Sequence, residues 1–189
     1  MSKSEIKLGV VLGLLIVLAA MSRLVDHPWN FTPMTAILLI SAAYISNNWM
    51  KIAVPFAIIL FSDIVLEMTT GWGFHDGTTS VYFGYFIIFI IGFFLLKKVS
   101  VLKIAGASIL GSLTFFLITN FAFLYTPSVV PNPLQGTYPH NMIGILASYE
   151  AGLPFFKNML FGDLTFSAIL FAAYYLVQNF GLKMTKAKA

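Results

Sequence analysis

"FAIILFSDIVLEMTTGWGF" (residues 56–74) is apolar for most of its length, yet it carries two carboxylates, Asp63 and Glu67. Their four-residue spacing places both on one face of a helix. An ionised carboxylate in hydrocarbon costs at least about 2.5 to 3.5 kcal/mol. The stretch therefore predicts a membrane-spanning helix whose acids are retained for a purpose.

The whole chain has the same character. Of its 189 residues, 59% are hydrophobic and 10% charged, with 19 phenylalanines and a mean hydropathy of +0.88. Soluble domains carry about 25% charged residues. These values predict an integral membrane protein with a single transmembrane domain over residues 1–189. The absence of cysteine excludes disulfides, thiolate metal sites and cysteine nucleophiles. The net charge of +4 does not point to nucleic acid, because membrane topology accounts for where the basic residues fall.

Apolar runs at 7–25, 33–49, 50–69, 80–98, 101–125 and 157–180 predict six membrane helices, each needing roughly 20 residues to cross about 30 Å. The second is the weakest. "MTAILLISAAYI" offers 12 residues before Ser46, Asn47 and Asn48, which predicts a helix that is tilted or packed inside the bundle. Glycine- and proline-rich stretches mark loops at 70–80 and 126–156. Lys3, Lys7 and the apolar core before "LAAMS" resemble a signal peptide. Arg23 lies where a functional helix end would carry polarity, so the segment is expected to be retained.

Basic residues set the orientation. With a cytoplasmic N-terminus, Lys3, Lys7, Lys51, Lys97, Lys98, Lys103, Lys183, Lys186 and Lys188 all face inward, nine of the eleven. The expected architecture is all-α, a six-helix transmembrane bundle with both termini cytoplasmic.

On that topology the polar residues gather toward the outside. Arg23, Asp26 and His27 end the first helix, Ser62, Asp63 and Glu67 sit in the outer half of the third, and Thr119 and Asn120 close the fifth. Asp163 falls in the outer part of the sixth. Intramembrane charges normally face a bundle interior or a watery cavity and find partners. One reading is a structural ion pair, since Arg23 is the only intramembrane cation available to Asp63, Glu67 or Asp163. The other, which covers the amides and loop aromatics as well, is an outward-facing pocket capped by loops.

Gly9 with Gly13, and Ala107 with Gly111, have the small-xxx-small spacing that lets helices approach closely. Packing within the chain is the first expectation for both pairs, and docking to a partner the second. His27, His75 and His140 lie in separate loops and are read as solvent-exposed, so no metal site or cofactor is expected. "GASILGS" (106–112) lacks the spacing of a nucleophile elbow. No phosphate loop, metalloprotease helix or dinucleotide fingerprint occurs, and the chain is expected not to be an enzyme.

"NFTP" (30–33), "FSD" (61–63), "TNF" (119–121), "YP" (138–139), "GLPFF" (152–156) and "GD" (162–163) are similar to an uncharacterised bacterial family of ECF-like transport proteins. The chain as a whole resembles the substrate-binding S component of energy-coupling factor (ECF) vitamin transporters. The resemblance implies a ligand held near the outer surface of the bacterial cytoplasmic membrane. It also implies a first helix that meets a coupling subunit working with two ATPases. Carried over, it suggests Gly9 and Gly13 for coupling, with Asn30, Thr32, Asp63, Asn120, Tyr138 and Asp163 near the ligand; Arg23 and Glu67 complete the expected site. The usual first-helix pattern has alanines where this chain has glycines. Nickel and cobalt members begin Met-x-His, whereas this chain begins Met1-Ser2-Lys3, which disfavours metal uptake.

The expected function is therefore a membrane substrate-binding subunit for uptake of a small vitamin-like molecule. The alternative is a secondary transporter driven by protonation of Asp63, Glu67 or Asp163. A membrane enzyme using the same acids as general acid and base is a further alternative, for which no nucleophile is evident.

Overall fold

Side-chain caps fix several of the helix starts. In a computed structural model describing residues 3–181, Asn47 Oδ1 accepts from the amides of Trp49 and Met50, Ser100 Oγ from Lys103 and Asn141 Oδ1 from Gly144. Each satisfies amides that the first turn leaves without a partner. The helices that follow these caps are α3 (Asn48–Thr70), α5 (Val101–Thr119) and α6 (Met142–Leu176). The others are α1 (Lys3–Met21), α2 (Met34–Tyr44) and α4 (Thr78–Leu95). The fold is all-helical with six helices, as the sequence predicts. The expected cytoplasmic Lys183, Lys186 and Lys188 lie outside the described residues.

Two boundaries differ from expectation. The sequence puts a loop at 126–156, but α6 begins at Met142 and runs for 35 residues, straight through Pro154. Gly152 and Pro154 read as a break; in a long apolar helix the one amide that proline lacks is tolerated. At about 52 Å, α6 is longer than the roughly 30 Å hydrocarbon layer. The fifth helix ends at Thr119 rather than 125, and a 3-10 turn at Ala122–Leu124 follows.

The second helix is the hub. It has 11 residues, and every one from Met34 to Ala42 is buried. It packs against all five other helices, which is why its sequence is apolar all round rather than striped. Close approach relies on glycine. A Cβ on Gly92 of α4 would sit 2.9 Å from Leu39 Cδ2 and 3.1 Å from the Cβ of Ala42. On Gly111 of α5 it would sit 3.3 Å from the Thr35 methyl. The Ala107–Gly111 pair thus serves internal packing.

The five remaining helices are long and apolar enough to cross a membrane. Their outer faces present Leu18, Met68 and Leu102, and the chain is a multi-pass membrane protein. One end of the bundle carries Trp49, with the Lys51 ammonium 5.4 Å from the centre of the Phe93 ring and the Lys97 ammonium 5.4 Å from that of Phe94. At the other, loop-rich end Trp29 meets Trp72 edge to face at 5.9 Å. Tryptophan and lysine at such levels suit the two interfaces of a bilayer.

Gly92→Val should destabilise the bundle by about 1 to 3 kcal/mol, the usual cost of overpacking. Ala42 cannot yield the space as a flexible side chain could. Gly106, which has nothing within 4 Å, provides the control. Thermal unfolding in detergent should separate Gly92→Val from an unaffected Gly106→Ala.

Candidate functional site

Arg23 lies in the 3-10 turn Ser22–Leu24 that follows α1, and this turn aims its guanidinium at α3. Nη1 lies 2.5 Å from Asp63 Oδ1 and 2.7 Å from Ser62 Oγ. Tyr82 of α4 donates its hydroxyl to Asp63 Oδ2 at 2.7 Å. Ser62 donates its hydroxyl to the Ile59 carbonyl, leaving its oxygen free to accept from Arg23. Each oxygen of Asp63 therefore has a donor, and the side chain is 5% exposed. This is the arrangement of a buried, ionised and compensated carboxylate.

Asp163 is placed differently. It is 1% exposed, and Ser112 Oγ of α5 lies 2.6 Å from its Oδ2. Ser108, one turn before Ser112 on α5, and Ser167, one turn after Asp163 on α6, bond each other at 2.9 Å. Thr35 of α2 stands beside the carboxyl. Among the described residues the one ion pair is Arg23–Asp63, so no cation neutralises Asp163. Gly162 lets α6 lie against the backbone of the expected "NFTP" stretch: a Cβ there would meet Phe31 Cα at 3.1 Å.

The other expected site residues are spread along the loop-rich end. Glu67 Oε2 accepts the amides of Gly73 and Phe74 at 3.0 Å each, folding the α3–α4 loop back over its helix. Asn30 is exposed at a positive φ of 63°, while Thr32 is half-buried. Asn120 donates to the Phe116 carbonyl and packs on Gly152. Tyr138 is buried in the 121–141 loop, and burial pushes its phenol above the usual range. Two centres thus form within the bundle, around Asp63 and around Asp163, while Glu67 and Asn120 organise loops and helix ends. The residues that sequence reasoning left out are Tyr82, Ser108, Ser112 and Ser167. Their signal was present, because Ser108/Ser112 and Asp163/Ser167 are each four apart and so share a helix face.

A separate cleft of about 490 Å³ opens at the same end, between the start of α4, the end of α5 and the first turns of α6. Phe83, Leu117, Phe121 and Tyr149 form its apolar walls, and Asp76, Thr79 and Ser80 supply the polar groups. None of the eight expected site residues lines it. The adjoining loop is pinned by the Tyr125 hydroxyl on the Thr119 carbonyl and by His140 Nε2 on the Tyr125 carbonyl at 2.9 Å. His75 Nδ1 accepts the Gly77 amide within the α3–α4 loop.

The first-helix glycines depart from the first expectation. Gly9 is exposed, Gly13 is half-buried, and among the described residues nothing lies within 4 Å of where a Cβ on either would sit. They do not pack α1 against the other described residues.

Breaking the Asp63 centre should cost stability. Arg23→Leu leaves a buried carboxylate without its cation, a loss of about 3 to 5 kcal/mol. Tyr82→Phe removes one hydrogen bond to a charge, about 1.5 to 3 kcal/mol. In a double-mutant cycle of Arg23→Leu with Asp63→Leu, melting temperatures should show strong coupling; additive losses would separate the two residues energetically.

No curated protein and no solved structure shows significant similarity to the chain. A family model does match, across residues 3–184. The match takes in all six helices and both buried acidic centres, and the chain belongs to the family described as "Family of unknown function (DUF6580)".

Proposed function

We propose that this protein is a membrane subunit that binds a small vitamin-like solute for uptake. The loop-rich end faces outward across a bacterial cytoplasmic membrane, and both termini face the cytoplasm. The observation that carries the reading is the cleft at that end. Its volume of about 490 Å³ suits a small molecule, since ligand sites typically span about 300 to 1,000 Å³. Aromatic walls with a few hydroxyls and one carboxylate would bury an apolar ring and orient its polar groups. The chain performs no chemistry on the solute. Asp63 acts from behind the site by holding α1, α3 and α4 in register.

The open α1 surface around Gly9 and Gly13 supports docking of a partner helix, the role expected of an ECF coupling subunit with its ATPases. Small residues at such a surface allow close helix–helix contact within lipid. A second reading, a proton-coupled carrier, is favoured by one observation: Asp163 is a buried acid with no cation beside it among the described residues.

Native mass spectrometry of the gently purified protein should reveal a co-purified small molecule. Phe83→Trp, which fills the cleft, should release it without unfolding the protein. Retention of the same molecule in Phe83→Trp would move the site elsewhere. Orientation has its own test, helped by the absence of native cysteine. Leu134→Cys should react with an impermeant thiol reagent in intact cells and Lys98→Cys should not; the opposite pattern would place the cleft in the cytoplasm.

A further inference from the structure

Ser112 Oγ has two oxygens within hydrogen-bond distance, the Ser108 carbonyl at 3.0 Å and Asp163 Oδ2 at 2.6 Å. A serine hydroxyl has one proton to donate. The Ser108 carbonyl can only accept. If Asp163 were ionised it too could only accept, and one proton would have to serve both oxygens. If Asp163 carries a proton, the chain closes. Asp163 Oδ2–H donates to Ser112 Oγ, and Ser112 Oγ–H donates to the Ser108 carbonyl.

The surroundings point the same way. α5 contributes Ser108 and Ser112, which are neutral, and α2 contributes Thr35, whose hydroxyl hydrogen-bonds the carboxyl but brings no compensating charge. α6 itself contributes Ser167 one turn away, and the segment before α2 contributes the Phe31–Thr32 backbone against Gly162. The only titratable side chain toward this centre from α4 is Tyr85, a neutral phenol, which also lies within electrostatic reach of Arg23 and Asp63. Arg23 is occupied by Asp63. An unpaired carboxylate in such a place is strongly disfavoured and neutralises instead.

We infer that Asp163, together with Ser112 and Ser108, forms a proton-binding site inside the bundle, occupied at neutral pH. Release of the proton breaks the Oδ2–H bond, leaves the electron pair on the carboxylate and passes the proton to water. Ser112 then turns its hydroxyl from the Ser108 carbonyl to Asp163. The centre lies against the first turn of α2 and the Phe31–Thr32 backbone, so the exchange would be felt at the loop-rich end. This deepens the proton-coupled reading but stands without it, since the protonation state needs no solute, gradient or partner to be observed.

Infrared spectroscopy of the purified full chain in nanodiscs tests it. At neutral pH the wild type should show the carbonyl stretch of a protonated carboxylic acid. The band should be lost in Asp163→Asn, kept in Asp63→Asn, and shifted in Ser112→Ala, which removes the acceptor of the proton. Should Asp163→Asn fail to fold, the Ser112→Ala shift carries the assignment. A folded wild type without the band, or a band unchanged in both Asp163→Asn and Ser112→Ala, would overturn the inference.

Discussion

An 11-residue helix rises about 16 Å, roughly half the hydrocarbon thickness of a bilayer. α2 therefore cannot span a membrane, and its free ends would be costly in lipid. The bundle meets that constraint by enclosing it. Five longer helices surround α2, Gly92 and Gly111 remove the side chains that would hold two of them away, and the 25–33 segment closes over its start. The position of both polar centres follows. Asp163 lies beside the first turn of α2, and Arg23 and Asp63 lie where α1 and α3 reach the loop-rich end.

The two buried acids have been accommodated in opposite ways. Asp63 keeps its charge because Arg23 and Tyr82 each give it a donor. Asp163 has hydroxyls beside it but, among the described residues, no cation. The first arrangement cross-links three helices and resists change. The second joins α5 and α6 through neutral hydroxyls alone.

Helix number and type were legible in the sequence because apolar runs of membrane length are a strong signal. The enclosed second helix could also be anticipated from its short run before Ser46, Asn47 and Asn48. The early start of α6 could not, because Gly152 and Pro154 resemble a loop in any soluble context, and only the long apolar setting makes them tolerable within a helix. The Arg23–Asp63 pair was foreseeable, since no other intramembrane cation was available. The Asp163 centre was only half visible. Its serines lie in "GASILGS", which lacks nucleophile spacing but whose helical periodicity sets Ser108 and Ser112 on one face. The cleft was not legible, because its walls come from three segments with no shared motif.

The enclosed α2 gives the bundle a buried centre on which the other five helices pack. The most direct test labels the wild-type protein in bilayers with a photoactivatable lipid probe and maps adducts by mass spectrometry. Peptides carrying Leu18, Met68 and Leu102 should be modified, while Met34 to Ala42 should remain free of adducts. Labelling of α2 at the level of the surrounding helices would show that it meets lipid, and would contradict the enclosed-helix architecture.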